Sequence, residues 1–268
     1  MRVAAVQMSS QDDLSANLAE ARHRIEEARA LGATLVVLPE NFAYFGPEEG
    51  RRRIAEDVEA AEGPILRALS EAARELGVTV VGGGMPERSP DPERPFNTCV
   101  VVGPDGAVSA RYRKIHLFDV DLADGTSLRE SASTMPGDAP VVAGVGARRV
   151  GLSICYDLRF PELYRALVSE GADVLVVPAA FTVHTGKDHW HVLLRARAIE
   201  SQAWVIAAAQ WGKHPRGRTT YGHALVVDPW GTVVAEASDR PGVVVAELDA
   251  KHQHDIRAAL PSLKHRRL

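Results

Sequence analysis

The sequence predicts an α/β fold in which two duplicated halves stack as a four-layer α-β-β-α sandwich. Three observations carry that prediction. Short β-branched apolar runs alternate with longer amphipathic stretches. Three segments of the first half recur, in order, in the second. Several strands are apolar throughout instead of alternating, the pattern of sheets covered on both faces. With 268 residues, 46% apolar and 25% charged, the chain has globular composition and suits one large domain, residues 1–268.

Val3–Met8 reads as the first strand. Leu14–Leu31 has helical periodicity and closes at Gly32, where a helix C-terminus calls for positive φ. Leu35–Leu38 is the next strand, and a polar loop carrying Glu40 follows. Pro64–Leu76 reads as a helix, with proline tolerated in its first turn and Gly77 past its end. Val78–Val81 and Thr98–Val102 are strands, and Gly103-Pro104-Asp105-Gly106 turns the chain into Ala107–Tyr112. In the second half Val150–Cys155, Asp173–Val177 and Trp204–Ala209 read as strands, and Pro161 opens a helix.

The duplication rests on three collinear matches. Arg2–Met8 matches Arg149–Cys155 at an offset of 147; Val37–Phe42 matches Val176–Phe181 at 139; the hairpin Val101–Gly106 matches Val226–Gly231 at 125. Halves of this kind carry helices on one sheet face, and burying the other face against its twin gives the four layers.

Composition removes several partners. Lys+Arg is 31 against 35 Asp+Glu, a net charge of −4, so no basic excess exists to hold nucleic acid or an acidic membrane. Two cysteines, Cys99 and Cys155, make no disulfide framework or zinc motif. Met1–Met8 is too short an apolar stretch to read as a signal peptide, with Asp12 and Asp13 following at once, and no apolar run approaches the ~18 residues of a membrane helix. The expectation is a cytoplasmic protein.

Catalytic groups in α/β sheets gather beyond the carboxyl ends of strands. Cys155 ends a strand just before a helix, and a thiol of pKa about 8.5 is lowered by a helix N-terminus or a cation. Glu40 also follows a strand. Lys114 stands beside Arg113 in a chain with only five lysines among its 31 basic residues, a hint that a compact ammonium is needed there. The duplicates of Cys155, Glu40 and Lys114 are Met8, Ala179 and Asp239, so one complete set survives, drawn from both halves. A carboxylate, an ammonium and a thiol suffice for nucleophilic acyl transfer. Cys99, whose duplicate is Ala224, reads as core.

Leu38-Pro39-Glu40-Asn41-Phe42, Tyr112–Asp119 around Lys114, and Ile154–Glu162 around Cys155 resemble the carbon–nitrogen hydrolases of the nitrilase superfamily. The resemblance covers nearly the whole chain. It implies a Glu-Lys-Cys triad on an α-β-β-α sandwich, hydrolysing a small amide through a thioester without metal or organic cofactor. Within the family the chain is similar to the branch of ω-amidases and deaminated-glutathione amidases. Arg129-Glu130-Ser131 matches that branch's second glutamate, while Trp190, Leu194–Glu200 and Tyr221-Gly222-His223 lean to the deaminated-glutathione side. Glu130 is then a supporting carboxylate, and the Tyr156 backbone N–H joins Lys114 at the oxyanion. Arg159, four residues past the nucleophile, is expected to bind a substrate carboxylate, of deaminated glutathione first and 2-oxoglutaramate second, with the pairing of Arg159 to Asp157 or a loop carboxylate as the structural alternative. Phe181 and Thr182 are expected to line the remaining wall. The segment Thr182–Asp188 departs from the branch's small residues and proline, and reads as a loop bordering the pocket. The resemblance also implies a homodimer or higher even oligomer, paired through helices near the site, with the charged tail His252–Leu268 reaching a neighbour.

Two rivals remain open at this level: a nitrilase or N-carbamoyl amide hydrolase using the same triad, and an inactive interaction module with a relict site. His189 and His191, two apart on a helix, face different ways and cannot chelate together. His252 and His254 read as solvated, and Gly82-Gly83-Gly84 lacks phosphate-loop spacing. Trp230 is either core or subunit contact, and is assigned to the core.

Overall fold

Alternate residues of the first strands decide where the layers lie. The computed structural model describes residues 1–121 and 127–267. The first half runs β1 (Arg2–Met8), α1 (Leu14–Ala30), β2 (Leu35–Val37), α2 (Glu48–Arg53), α3 (Pro64–Leu76), β3 (Thr79–Glu87), β4 (Phe96–Val102) and β5 (Val108–Arg113). A short antiparallel pair, β6 (Asp119–Asp121) and β7 (Ser127–Arg129), leads to the second half. There follow β8 (Val142–Val145), β9 (Arg148–Leu152), α4 (Pro161–Ser169), β10 (Val174–Val176), α5 (Val183–Ser201), β11 (Trp204–Ala207) and β12 (Ala209–Lys213). The chain ends through β13 (Thr219–Tyr221), β14 (Leu225–Val227), β15 (Val233–Glu236), β16 (Gly242–Glu247) and α6 (Ala250–Ala259).

In the first sheet Ala4, Val6, Val36, Val80 and Val100 pack with Ile25 of α1 and Leu66 and Leu69 of α3. Val3, Ala5, Val37, Val81 and Val101 point the other way and join the strands of the second sheet and Leu167 and Leu194 of α4 and α5. The order is therefore helices, sheet, sheet, helices, as the sequence predicts. Each fully buried valine or leucine contributes about 1.5–3 kcal/mol by leaving water, which explains why these strands carry apolar residues on both faces.

The register carries the duplication residue by residue. The first sheet orders β1-β2-β3-β4-β5 and the second β9-β10-β11-β14-β15. Val3 pairs Leu35 and Val150 pairs Val174, the same pair shifted by 147 and 139. Val81 pairs Val101 and Ile206 pairs Val226, both shifted by 125. Even the irregularity recurs, between Val101 and Val102 in one half and between Val226 and Val227 in the other.

Several boundaries differ from the sequence reading. The apolar run Trp204–Ala209 is split: β11 belongs to the second sheet, whereas Ala209 begins β12, which pairs with the end of β1 in the first. Thr182–Asp188 is no loop: Thr182 caps α5, and the helix begins at Val183. Trp230 is 60% exposed and not core. The tail folds back on its own chain instead of extending: the Gln253 side-chain amide donates to the carbonyls of Asp173 and Gln202, and Ile256 is buried. Leu268 lies outside the described residues. Among the described residues no helix is long and apolar enough to cross a membrane.

Candidate active site

The site forms where β2, β5 and β9 end on the same side of the two sheets. β9 stops at Leu152, three residues earlier than the sequence suggests, and Cys155 opens a 3₁₀ turn, Cys155–Arg159. Cys155 holds φ at +48°, a left-handed conformation that disfavours a residue with a Cβ and persists only where its surroundings enforce it. The enforcement is visible. The Cys155 N–H donates to the Pro178 carbonyl at 2.9 Å. Asp157, fully buried, accepts from the Ile154 N–H and the Tyr112 hydroxyl on one oxygen and from the His116 N–H and imidazole on the other. Asp157 is thus saturated by the turn, and does not pair with Arg159.

Lys114 directly follows β5, and its side chain is 2% exposed. Its ammonium donates to Glu40 Oε1 at 2.9 Å and to both oxygens of Glu130 at 3.0 and 2.9 Å. Burial works against the charged lysine, but Glu130 and Glu40 outweigh it and hold its pKa above the ordinary value. Burial likewise opposes ionisation of Glu130; Lys114 and the Phe118 N–H overcome it, and its pKa is lowered. The Cys155 thiol goes the other way, raised well above the usual range by burial and by the Glu40 charge. The lowering expected from sequence does not occur, because burial disfavours the thiolate and an anion faces the sulfur as well as a cation. Cys155 thus favours the protonated thiol, beside the Glu40 carboxylate.

Glu40 is fixed on every side. Asn97 donates to its Oε1 at 2.9 Å, the Ala180 N–H to its Oε2 at 3.0 Å, and Gln210 to its backbone carbonyl at 3.0 Å. Gly83 and Gly84 of β3 let this happen. A Cβ on Gly83 would stand 2.2 Å from the Leu38 carbonyl oxygen, and one on Gly84 2.7 Å from Asn97 Oδ1 and 3.1 Å from the Glu40 side chain. The glycines read from sequence only as lacking a phosphate motif are what lets the backbone approach the carboxylate. Asn97, Ala180 and Gln210 went unread, since nothing at their own positions in the sequence marks a group that acts by holding another.

Two adjoining cavities share Phe118, Cys155, Ala180 and Thr182. The larger, about 550 Å³, also reaches Glu40, Lys114, Glu130 and an outer wall with Arg51, Arg216 and Arg218. The smaller, about 20 Å³, is lined by Tyr156, Arg159 and Phe181 and has room for about one water. Arg159 lies 5.2 Å from the Phe181 ring and 5.8 Å from Tyr156, and contacts His189 at 3.2 Å. Among the described residues no carboxylate is within ion-pair distance of it, so its guanidinium is available to an anion. The structure thus brings Glu40, Lys114, Glu130, Cys155, Tyr156, Arg159, Phe181 and Thr182 to one region. Cys99 is fully buried in β4 and lines neither cavity. His191 does meet a partner set, but not His189: it and His223 both contact Glu236 Oε1, at 2.8 and 2.7 Å, tying α5 to β15.

Known proteins match this arrangement along the chain. The Carbon-nitrogen hydrolase family pattern matches residues 2–258. The deaminated glutathione amidase of Synechocystis sp. is 46% identical over 98% of this chain and 97% of its own. The solved structure of the Caenorhabditis elegans NitFhit protein superposes with a TM-score of 0.92 at 39% identity, covering 99% of this chain, which spans 65% of that one. A glutamate-to-glutamine mutant of the amidase from Nesterenkonia sp. AN1 superposes at 0.79 with 29% identity, over 98% of both chains. That structure shows the result of Michael addition of acrylamide at its active-site cysteine.

Proposed function

The chain belongs to the carbon–nitrogen hydrolase family of the nitrilase superfamily and is an amidase; from that premise we propose that Glu40, Lys114 and Cys155 cleave the amide of deaminated glutathione. The observation that supports this reading most is the protonated Cys155 set beside Glu40, with Lys114 held charged between two carboxylates.

The chemistry follows from that geometry. Cys155 Sγ attacks the amide carbon while Glu40 accepts the thiol proton, so sulfur gains its nucleophilic charge only as the bond forms. The oxyanion is met by the Lys114 ammonium and the Tyr156 N–H; losing one such donor costs about 10²–10³ in rate. Glu40 then delivers its proton to the leaving nitrogen, the C–N bond breaks, and a Cys155 thioester remains. Water, deprotonated by Glu40, attacks the thioester, and the thiol regains its proton as the acid leaves. Glu130 keeps Lys114 aimed and charged. No step draws on a metal or organic cofactor.

Deaminated glutathione is 2-oxoglutarate in amide linkage to cysteinylglycine. Its keto-acid carboxylate is assigned to Arg159, with Phe181 and Thr182 beside it. The small cavity must open to admit it, which is within reach because Arg159 is held only by His189 and two aromatic faces. The test measures hydrolysis of deaminated glutathione and 2-oxoglutaramate as 2-oxoglutarate release, and of an uncharged aliphatic amide, a nitrile and an N-carbamoyl amide as ammonia release. Deaminated glutathione should give the highest kcat/KM. Preference for the uncharged amide or the nitrile sinks the assignment.

For assembly we propose a homodimer or higher even oligomer paired through α5. Val192 and Ile199, seven apart on α5, are 66% and 48% exposed. They lie near the exposed Trp230 turn, which Arg195 holds by donating to the Gly231 carbonyl at 2.7 Å. Exposed apolar residues gathered on one face suit a contact between copies of the chain.

A further inference from the structure

The larger cavity has more wall than a keto-acid amide can use. Beyond Cys155 and Lys114 it extends to Arg51, Arg216 and Arg218, with Glu48 the acid among them. Among the described residues of this wall, three guanidinium groups stand against one carboxylate, an excess of two positive charges. Arg218 reaches Glu48 at 3.7 Å and lies 5.8 Å from the Phe45 ring. Arg51 is 8% exposed; it donates to Glu48 at 3.2 Å and Thr134 at 3.1 Å, and its buried Nε has no partner. Arg216 is exposed and makes no hydrogen bond or ion pair among the described residues.

The loop that carries Arg216 and Arg218 is built to hold its shape. His214 donates its backbone N–H to the Arg218 carbonyl at 2.8 Å, closing the turn. The buried His214 ring bonds the Ser10 carbonyl at 2.8 Å and the Thr220 hydroxyl at 2.7 Å, and stacks on Phe45 at 4.2 Å. At the tip Arg216 holds φ at +62°, a conformation glycine adopts freely and arginine does not. Cationic side chains on a pinned, strained loop facing a cavity are a preorganised anion site.

We propose that this wall is a second anion subsite, which takes a carboxylate on the leaving group, so that the enzyme selects dianionic amides. Cys155 stands at the junction of the two cavities, with Arg159 in one and Arg216 and Arg218 in the other. The scissile bond is thereby placed between two guanidinium-bound carboxylates. In deaminated glutathione the second carboxylate is that of the terminal glycine. The inference rests on the substrate reading above and deepens it.

The experiment compares deaminated glutathione, its C-terminal carboxamide and 2-oxoglutaramate in wild type, Arg216→Ala and Arg216→Ala/Arg218→Gln. Arg216 lies at an exposed loop tip, so its replacement leaves the core untouched. Loss of one exposed charge-assisted contact should raise KM for deaminated glutathione about tenfold in Arg216→Ala, further in the double variant, with kcat within about twofold of wild type. The carboxamide should behave in wild type as deaminated glutathione does in the variant. 2-Oxoglutaramate, whose leaving group is ammonia, should be unaffected, because it has nothing to place on this wall. Equal KM changes for deaminated glutathione and 2-oxoglutaramate overturn the subsite, as does a wild type that does not distinguish acid from carboxamide. Wild type hydrolysing 2-oxoglutaramate but not deaminated glutathione instead overturns the substrate reading. The subsite is then judged by the same comparison on the accepted acyl group coupled to glycine or glycinamide.

Discussion

Replacing Lys114 by methionine tests whether the charged cluster holds the site together. The ammonium contacts three carboxylate oxygens at 2.9–3.0 Å from a side chain 2% exposed, facing carboxylates 5% and 16% exposed. Methionine keeps the volume and removes the charge, leaving Glu40 and Glu130 buried together without a cation. Breaking a buried pair in this way costs about 3–5 kcal/mol. At about 2–4 °C per kcal/mol for a chain of this size, Tm should fall by about 6–20 °C at pH 7. The pH dependence follows from the two shifts. Lys114 is raised, so its contribution is complete below its unfolded pKa and is lost only as pH rises through the folded value. Glu130 is lowered, so its contribution is complete above its unfolded pKa and is lost as pH falls through the folded value. With unfolded values of about 4.3 and 10.4, the gap between wild type and variant should be widest from about pH 5 to 10, and should narrow in acid as the stranded carboxylates take protons. Thermal melts at pH 4, 7 and 9 would show this, and a second change, Glu130→Gln, should restore part of the loss at pH 7. A Lys114→Met protein that melts within about 2 °C of wild type at pH 7 would refute the reasoning.

Cys155→Ala should lose turnover while keeping the wild-type melt; residual hydrolysis would remove the cysteine from the nucleophile's role. Because burial and Glu40 raise the Cys155 thiol, iodoacetamide should alkylate wild type at pH 7 more slowly than a free thiol, and Glu40→Gln should shift that pH profile downwards while abolishing amide hydrolysis. An unchanged profile would show that Glu40 does not face the sulfur. Gly84→Ala forces a Cβ at φ +84° against Asn97 and Glu40; about 1–3 kcal/mol of strain and at least about a tenfold fall in kcat/KM are expected, and wild-type kinetics would place the contact elsewhere. Val192→Asp with Trp230→Asp should lower the oligomeric order in sedimentation; an unchanged mass moves the interface off α5.

The parts of the fold that sequence made legible are those with local physical causes. Pro64–Leu76 was readable to the residue because proline suits a first turn and Gly77, at φ +63°, ends it. That Glu40, Lys114 and Cys155 stand out together was legible because a duplicated chain supplies its own control: what the second copy lacks, the fold does not require. What stayed hidden depends on contacts between distant residues. Cys155 is held left-handed by Pro178 and Asp157, not by its own side chain. Trp204–Ala209 changes sheet without a mark, since its residues are buried in either sheet. Thr182 caps a helix whose first turns, with Gly186 and several polar residues, look like loop. Trp230 shows that a large apolar residue at a hairpin tip need not be buried in its own chain.

The one-sidedness of the site has an electrostatic cause. Position 179, the duplicate of Glu40, is an alanine with no exposure, one residue from the Ala180 N–H that donates to Glu40 Oε2. A second acid there would stand one residue from the N–H that binds the first, in a region where Lys114 already contacts both Glu40 and Glu130. A third buried carboxylate would have no cation, and like charges sharing a buried site force one to take a proton. Asp239, the duplicate of Lys114, is 78% exposed and near His223 at 3.6 Å, so the second copy has no ammonium to offer. Met8, the duplicate of Cys155, fills its place as core with no exposure. Two full sites would thus compete for one neighbourhood at the end of the paired sheets. The arrangement that avoids stranded charge divides the groups: the first half supplies Glu40 and Lys114, and the second supplies Cys155 and the Ala180 N–H that holds Glu40 in line.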